Sequence, residues 1–145
     1  MRLNTKYSIA LHCLIFIEEY QSKTKVTSEL LAKSTGCNSS AIRAILNTLQ
    51  KADIISVKRG VGGAYLNRDP RDLNIWEIYK AIEPNGLKNL IGLHPNPSEK
   101  CPVGNKIRTV LEEPYVEVGE ALRVAMEDIS LQHIIDNYHK EEENQ

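Results

Sequence analysis

Asn38, Ser39, Arg43, Asn47 and Gln50 recur at helical spacing on one side of a short amphipathic stretch. A basic, glycine-rich run, Lys58–Arg59–Gly60–Val61–Gly62–Gly63, follows soon after. Hydroxyls, amides and a guanidinium on one helix face can hydrogen-bond base edges in a DNA major groove. An arginine at the tip of a glycine-rich turn has the shape and charge to enter a narrow minor groove. The glycines let backbone approach phosphate closely and take φ values closed to other residues. This run is not the phosphate loop of a nucleotide-binding enzyme, because it joins two strands and no Gly-Lys-Ser/Thr follows it. A plain solvated face is the competing reading of the helix, although such a face more often carries Glu and Lys.

The elements that must position these groups are legible around them. Thr27 is an N-cap for a first short helix through Leu30–Leu31–Ala32,. Gly36 stands where a C-cap needs positive φ, and Asn38 or Ser39 caps the next helix,. Two helices joined by a short turn containing glycine form a helix-turn-helix. Ala41, Ile42, Ile45, Leu46 and Leu49 are predicted as the inward stripe of the second helix,. Ile54–Val57 reads as a strand and Ala64–Leu66 as its return, which makes the basic run the tip of a wing,.

The chain has 145 residues, enough for one substantial core,. Residues 1–80 carry 12 Lys+Arg against 7 Asp+Glu, and residues 81–145 carry 6 against 12. The net charge of −1 therefore hides a basic front half suited to a polyanion,. No apolar run approaches the ~18 residues of a membrane span. The start, MRLNTKYSIALHCLIF, is broken by polar residues and reads as a first helix, Thr5 to Tyr20, with Tyr7, Ala10, Leu11, Leu14 and Ile15 inward,. A cytoplasmic location without membrane contact is the expectation. Cys13, Cys37 and Cys101 are odd in number and too far apart for a zinc finger or a disulfide framework,. Cys13 reads as a small core residue and Cys37 as half-buried in the helix-turn-helix turn.

A helix is predicted over Leu73–Ile82, with Trp76 as a core or interface anchor,. Six prolines and glycines between Pro84 and Pro102 leave a loop with one turn around Leu87–Leu93,. A long helix then begins near Val103 or Asn105 and runs to about Asp128. Ile107, Val110 or Leu111, Pro114, Val118, Ala121 or Leu122, Ala125 and Ile129 repeat along it in steps of three and four. Such a seam suits a two-fold, coiled-coil-like homodimer, with packing on its own domain as the alternative. Pro114 is expected to kink or break the helix. Ser130 caps a closing helix, Leu131–Tyr138, before a frayed EEENQ tail,. The organisation predicted is a winged helix-turn-helix domain at 1–83, a loop and candidate sensing region at 84–102, and a dimerisation segment at 103–145. The fold class is mainly α with a small β-hairpin.

The start RLNTKYSIALHCL, the helix NSSAIRAILNTLQKADII, the wing VKRGVGGAYLNRDP and the following LNIWEIYKAIE together resemble the Rrf-two family of bacterial winged helix-turn-helix transcription regulators, of the IscR, NsrR and CymR type. The resemblance implies that Ser39, Ser40 and Arg43 meet the major groove of double-stranded DNA and that Arg59 lies in the minor groove. It also implies that neighbouring wing backbone, at Lys58, Gly60, Val61 and Gly62, meets phosphates and that Arg2 and Lys6 flank the same surface; Asn38 and Asn47 of the polar helix face, with Thr27, complete the candidate DNA contacts. Cluster-binding members place three cysteines close together before the long helix. Here that loop supplies Cys101 alone, with His94 as one further ligand,. The chain therefore resembles the cluster-free branch, with no iron–sulfur cofactor and with a small molecule, a partner protein or thiol oxidation as the signal. Cys101, near the positive end of the long helix, is a candidate redox or electrophile sensor. An inert thiol left from a lost cluster site is the plainer alternative.

These features predict a homodimeric, sequence-specific DNA-binding regulator, by family habit a repressor. An enzyme has little support, since four scattered histidines form no metal-ligand pattern and neither a nucleophile elbow nor a nucleotide loop is present,. The remaining alternative is a winged-helix module for protein–protein contact, or a regulator acting through a partner enzyme. The cations at the wing and the polar recognition face argue against it.

Overall fold

The computed structural model describes residues 5–58, 60, 63–86 and 91–145. Its elements are α1 (Thr5–Tyr20), α2 (Ser28–Thr35), α3 (Ser39–Lys51), β1 (Ile55–Lys58), β2 (Gly63–Leu66), a 3-10 turn (Pro70–Asp72), α4 (Ile75–Ile82), α5 (Pro102–Glu127) and α6 (Leu131–Glu143). The caps fall where the residue types place them. Thr27 Oγ1 accepts from the Leu30 amide at 3.2 Å, and Asn38 Oδ1 from the Ala41 amide at 2.8 Å. Gly36 ends α2 at φ +74°, and its amide donates to Ala32 O,. Each such N-cap is worth about 1 kcal/mol.

One core joins the helices to the hairpin. Leu14 and Ile17 of α1, Leu31 of α2, Ile42 and Leu49 of α3, Ile55 of β1 and Ile78 of α4 are fully buried in it. Leu131 and Ile135 of α6 close the same core. Each side chain of this size contributes about 1.5–3 kcal/mol on burial. Cys13 is buried there, with its thiol pushed up to about 12 by burial and, secondarily, by Cys37. Strands β1 and β2 pair antiparallel with Ile55 opposite Leu66 and Lys58 opposite Gly63.

Several expectations need correction. Ala41 is exposed, not in the inward stripe. At 100° per residue it stands roughly 90° round the helix from the centre of the stripe that Ile42, Ile45, Leu46 and Leu49 form. Helix α4 starts two residues later than predicted, because Asn74 caps it in a reciprocal capping box with Glu77,. Leu73 instead accepts the Leu131 amide at 2.7 Å. Of the kink or break expected at Pro114, the break does not occur, since helix α5 is continuous through it. Proline is tolerated there because the position is exposed and water can take the carbonyl that its missing N–H leaves,. Helix α6 runs on to Glu143 rather than stopping at Tyr138, and the Tyr138 hydroxyl donates to Glu142 Oε1 at 2.8 Å in the added turn. The single turn expected around 87–93 lies partly outside the described residues, and 91–93 carry no regular structure. Among the described residues no helix is long and apolar enough to cross a membrane.

Candidate nucleic-acid interface

Helix α3 buries one stripe and leaves the opposite face polar. Asn38, Ser40, Arg43, Asn47 and Gln50 are exposed and Ser39 is half-buried. The core side of the same helix anchors this face, so its polar groups are held at fixed spacing. Arg43 Nη1 lies 3.8 Å from Glu29 Oε1 of α2, an exposed pair of little net worth,. Thr27 is half-buried with its hydroxyl oxygen engaged in the cap. Lys6 is exposed on the first turn of α1.

The wing stands on a base that sequence reasoning did not find. The Ala64 amide donates to Val26 O at 2.9 Å, and Val26 bridges Gly63 in parallel. Gly63 sits at φ +66°, and a Cβ there would meet Val26 N and O at 2.7 Å. Only glycine permits this approach. The Leu66 amide donates to Gln21 Oε1 at 2.9 Å, and the Lys25 ammonium donates to the Gly60 carbonyl. Gly60 is exposed at φ +84° with open space where a Cβ would be. Lys58 is exposed at the end of β1, its ammonium 5.3 Å from the Tyr65 ring centroid. Arg2, Arg59, Val61 and Gly62 lie outside the described residues. Nothing in the spacing of Gln21, Lys25 and Val26 points to the wing, because their contacts span about 40 residues of chain.

Arg68 fastens the exit of the wing to α4. Its guanidinium pairs with Glu77 at 3.2 Å and donates to Asp72 O at 2.9 Å. Beside it, Asp69 caps the 3-10 turn, and hydrogen bonds from Arg71 hold its carboxyl down to about 2. Tyr7 of α1 donates to Ile75 O at 2.7 Å and stands edge-on to Tyr79 at 5.4 Å. Burial, and then Tyr79, push the Tyr7 hydroxyl far above its ordinary range, so it stays a donor. Trp76 stacks on Tyr79 at 5.7 Å, and both pack with Met126 and Leu122 of α5. The reading head is thus linked by packed aromatics to the long helix.

Among the described residues helix α5 packs on α4, and its Arg108 guanidinium donates to Pro95 O at 2.9 Å. Gly119 and Met126 are its buried residues, while Val110 is 61% and Val118 46% exposed. Of the remaining seam, Ala125 is exposed, and Ile107, Leu111, Leu122 and Ile129 are half-buried. Cys101 occupies the N-cap position without a side-chain cap bond and is exposed. The nearby Gly104 backbone amide, and then that of Val103, lower the thiol below its ordinary value,.

A cluster or metal at the start of α5 would need several soft ligands converging on Cys101. Cys13 is in the core and Cys37 in the α2–α3 turn. Among the described residues the three-ligand group that converges is Glu19, His139 and Glu142, and it does not include Cys101. The donor set here does not fit an iron–sulfur cluster.

Comparison with known proteins places this geometry in context. The model of the Rrf2 family, described as iron-dependent transcriptional regulators, matches residues 3–137. YwnA of Bacillus subtilis (strain 168), named as an HTH-type transcriptional regulator, is 33% identical over 135 residues, covering 93% of this chain and 98% of its own. A crystal structure described as that of a DNA-binding protein superposes with a TM-score of 0.71 at 32% identity, over 90% of this chain and 98% of that one. IscR of T. potens gives a TM-score of 0.69 at 16% identity, over 95% of this chain and 88% of its own, a likeness of fold.

Proposed function

The chain belongs to the Rrf2 family of DNA-binding transcription regulators, and on that premise we propose that it works as a cluster-free homodimeric repressor that sets α3 in the major groove and the wing in the minor groove. The observation that carries this reading is the outer face of α3, where Ser40, Arg43 and Asn47 stand exposed on a helix whose other side is locked in the core. Small hydrogen-bonding side chains at rigid spacing read base edges, while Lys58 and Arg59 add charge for phosphate and minor groove. The exposed seam of α5 supports the dimer. Val110 and Val118, left 46–61% exposed along this helix, offer apolar surface for a second copy,. A two-fold pair of recognition helices reads a palindrome, and occupancy of such a site blocks transcription. The cytoplasm is the place for this activity.

Sedimentation of wild type and Val118→Glu, each followed by titration of an operator duplex, tests the proposal. The wild type is expected as a dimer with tight, salt-sensitive binding. Val118→Glu is expected as a folded monomer with binding weakened by at least about tenfold, as the second half-site is lost. A monomeric wild type that binds equally well would contradict it.

A further inference from the structure

The ends of α1 and α6 bring three metal-ligating side chains together. Glu19 of α1 meets His139 and Glu142 of α6, with one ligand atom from each lying within 4.8 Å of the others. His139 and Glu142 stand three residues apart and so share a face of α6,. Glu19 reaches them across 120 residues of chain, and His139 Nε2 lies 2.8 Å from Glu19 Oε2. Two helices therefore converge on one imidazole and two carboxylates, away from the recognition face of α3.

Each carboxylate is also steadied from outside the group. The Tyr138 hydroxyl donates to Glu142 Oε1 at 2.8 Å, and Lys23 Nζ lies 3.5 Å from Glu19 Oε1. Outer partners of this kind orient ligating groups. Lys23 brings one opposing charge, but its side chain is 61% exposed and its contact is to the Glu19 oxygen that does not meet His139. Glu141 and Glu143, in the same tail, add negative field around the group,. Glu19 is largely covered, whereas Glu142 is exposed, so the group has a sheltered base and an open outer side.

We propose that Glu19, His139 and Glu142 bind a divalent first-row transition ion of the zinc class, which pins the end of α6 to α1. An imidazole beside two carboxylates suits such borderline ions, whereas calcium and magnesium prefer oxygen alone. Three protein ligands leave the fourth position of a tetrahedron to water. With ligands about 2.0–2.2 Å from zinc, neighbouring ligand atoms of a tetrahedron stand about 3.3–3.6 Å apart. Glu19 and His139 are already that close, and Glu142 closes in by a change of side-chain rotamer in the last turn of α6. The ion stands where a proton now joins His139 Nε2 to Glu19 Oε2, and that proton passes to solvent on binding. Leu131 and Ile135 of the same helix close the core, so the ion secures an element on which the whole domain rests.

The test follows zinc uptake by the full-length, chelator-treated protein, using titration calorimetry and metal analysis after dialysis against zinc chloride. The expected result is one ion per chain, retained in a tenfold excess of magnesium chloride. Glu142→Gln leaves the Glu19–His139 contact in place and is expected to weaken zinc binding at least about tenfold, with Tyr138→Phe, which keeps all three ligands, weakening it about tenfold. Cys101→Ser is expected to bind zinc as the wild type does. Absence of saturable uptake at ~100 µM free zinc, between the micromolar and millimolar affinity marks, overturns the site. Unchanged zinc affinity in Glu142→Gln, loss of the ion in Cys101→Ser, or its displacement by magnesium also overturns it. Hydrogen exchange at one pH reads the pinning. Zinc is expected to slow exchange in the last turns of α6 in the wild type and not in Glu142→Gln, and bound zinc that leaves these turns unprotected overturns the pinning.

Discussion

Arg43, on the exposed face of α3, stands 3.8 Å from Glu29 of α2, so the guanidinium expected at the DNA is held by a carboxylate of the preceding helix. The pair is exposed on both sides, and backbone and Ser28 hydrogen bonds lower the Glu29 carboxyl below its ordinary value before Arg43 adds to the effect. Glu29 is therefore ionised near neutral pH and competes with DNA for Arg43. Glu29→Gln is expected to tighten operator binding about two- to threefold at low salt, an advantage that fades as salt screens the pair. Arg43→Ala should cost about 1–3 kcal/mol at matched sites and relax base preference there. Mobility-shift titrations on matched and mismatched duplexes check both. An Arg43→Ala loss that is equal on all sequences would reduce this residue to a phosphate contact.

The two glycines of the wing separate strain from collision. Gly60 and Gly63 both have positive φ, but only Gly63 faces backbone at 2.7 Å. Gly60→Ala is expected to cost about 1–2 kcal/mol, the ordinary penalty of a left-handed residue. Gly63→Ala should cost clearly more and weaken DNA binding, because Val26 must move away from β2. Thermal unfolding of the two variants side by side gives the comparison, and equal melting temperatures would refute the anchoring role of Val26.

His139 Nε2 lies 2.8 Å from Glu19 Oε2, joining the end of α6 to the end of α1. The hydrogen bond to Glu19 raises the imidazole above its ordinary 6.5, and the hydrogen bond to His139 lowers Glu19 below its ordinary 4.5. The histidine contribution is complete below 6.5 and is lost as pH rises through the raised value. The glutamate contribution is complete above 4.5 and is lost as pH falls,. The clip is therefore strongest between these two values. Hydrogen exchange of the last turns of α6, corrected for its intrinsic pH dependence, should show protection falling above neutrality in wild type and flat in His139→Gln. A wild-type profile as flat as that of the variant would show the contact to be inert.

The three thiols differ in burial and in local donors, so their reactivities should be ordered. Cys101 is exposed and favoured as thiolate by the Gly104 and Val103 amides, whereas Cys13 is buried and pushed up to about 12. Timed alkylation read by mass spectrometry is expected to label Cys101 first, Cys37 next and Cys13 only on unfolding. The sensor reading of Cys101 requires in addition that mild peroxide modify it first and change operator affinity. Equal rates for all three thiols would defeat both.

The helix-turn-helix was readable because its signals are local. Thr27, Gly36 and Asn38 act within one turn of themselves, and the Ile42–Leu49 stripe repeats inside one helix. Ala41 was misplaced because a small residue at the border of a stripe carries no weight either way. The end of α6 is hidden for a related reason: a charged tail reads as frayed in sequence, whereas Tyr138 and His139 hold it through Glu142 and Glu19. What stayed hidden depends on distant partners. The contacts of Gly63 with Val26, the Arg43–Glu29 pair and the meeting of Glu19 with His139 and Glu142 arise only when separate elements cross.

A dimer that reads DNA through α3 and the wing must recognise a two-fold site. Selection of bound fragments from the source genome by the untreated protein, with the recovered duplex titrated against salt, tests it most directly. A palindromic consensus with half-sites about one helical turn apart is expected, with affinity falling steeply with salt. Failure to enrich any sequence, with equal affinity for every fragment, would contradict it.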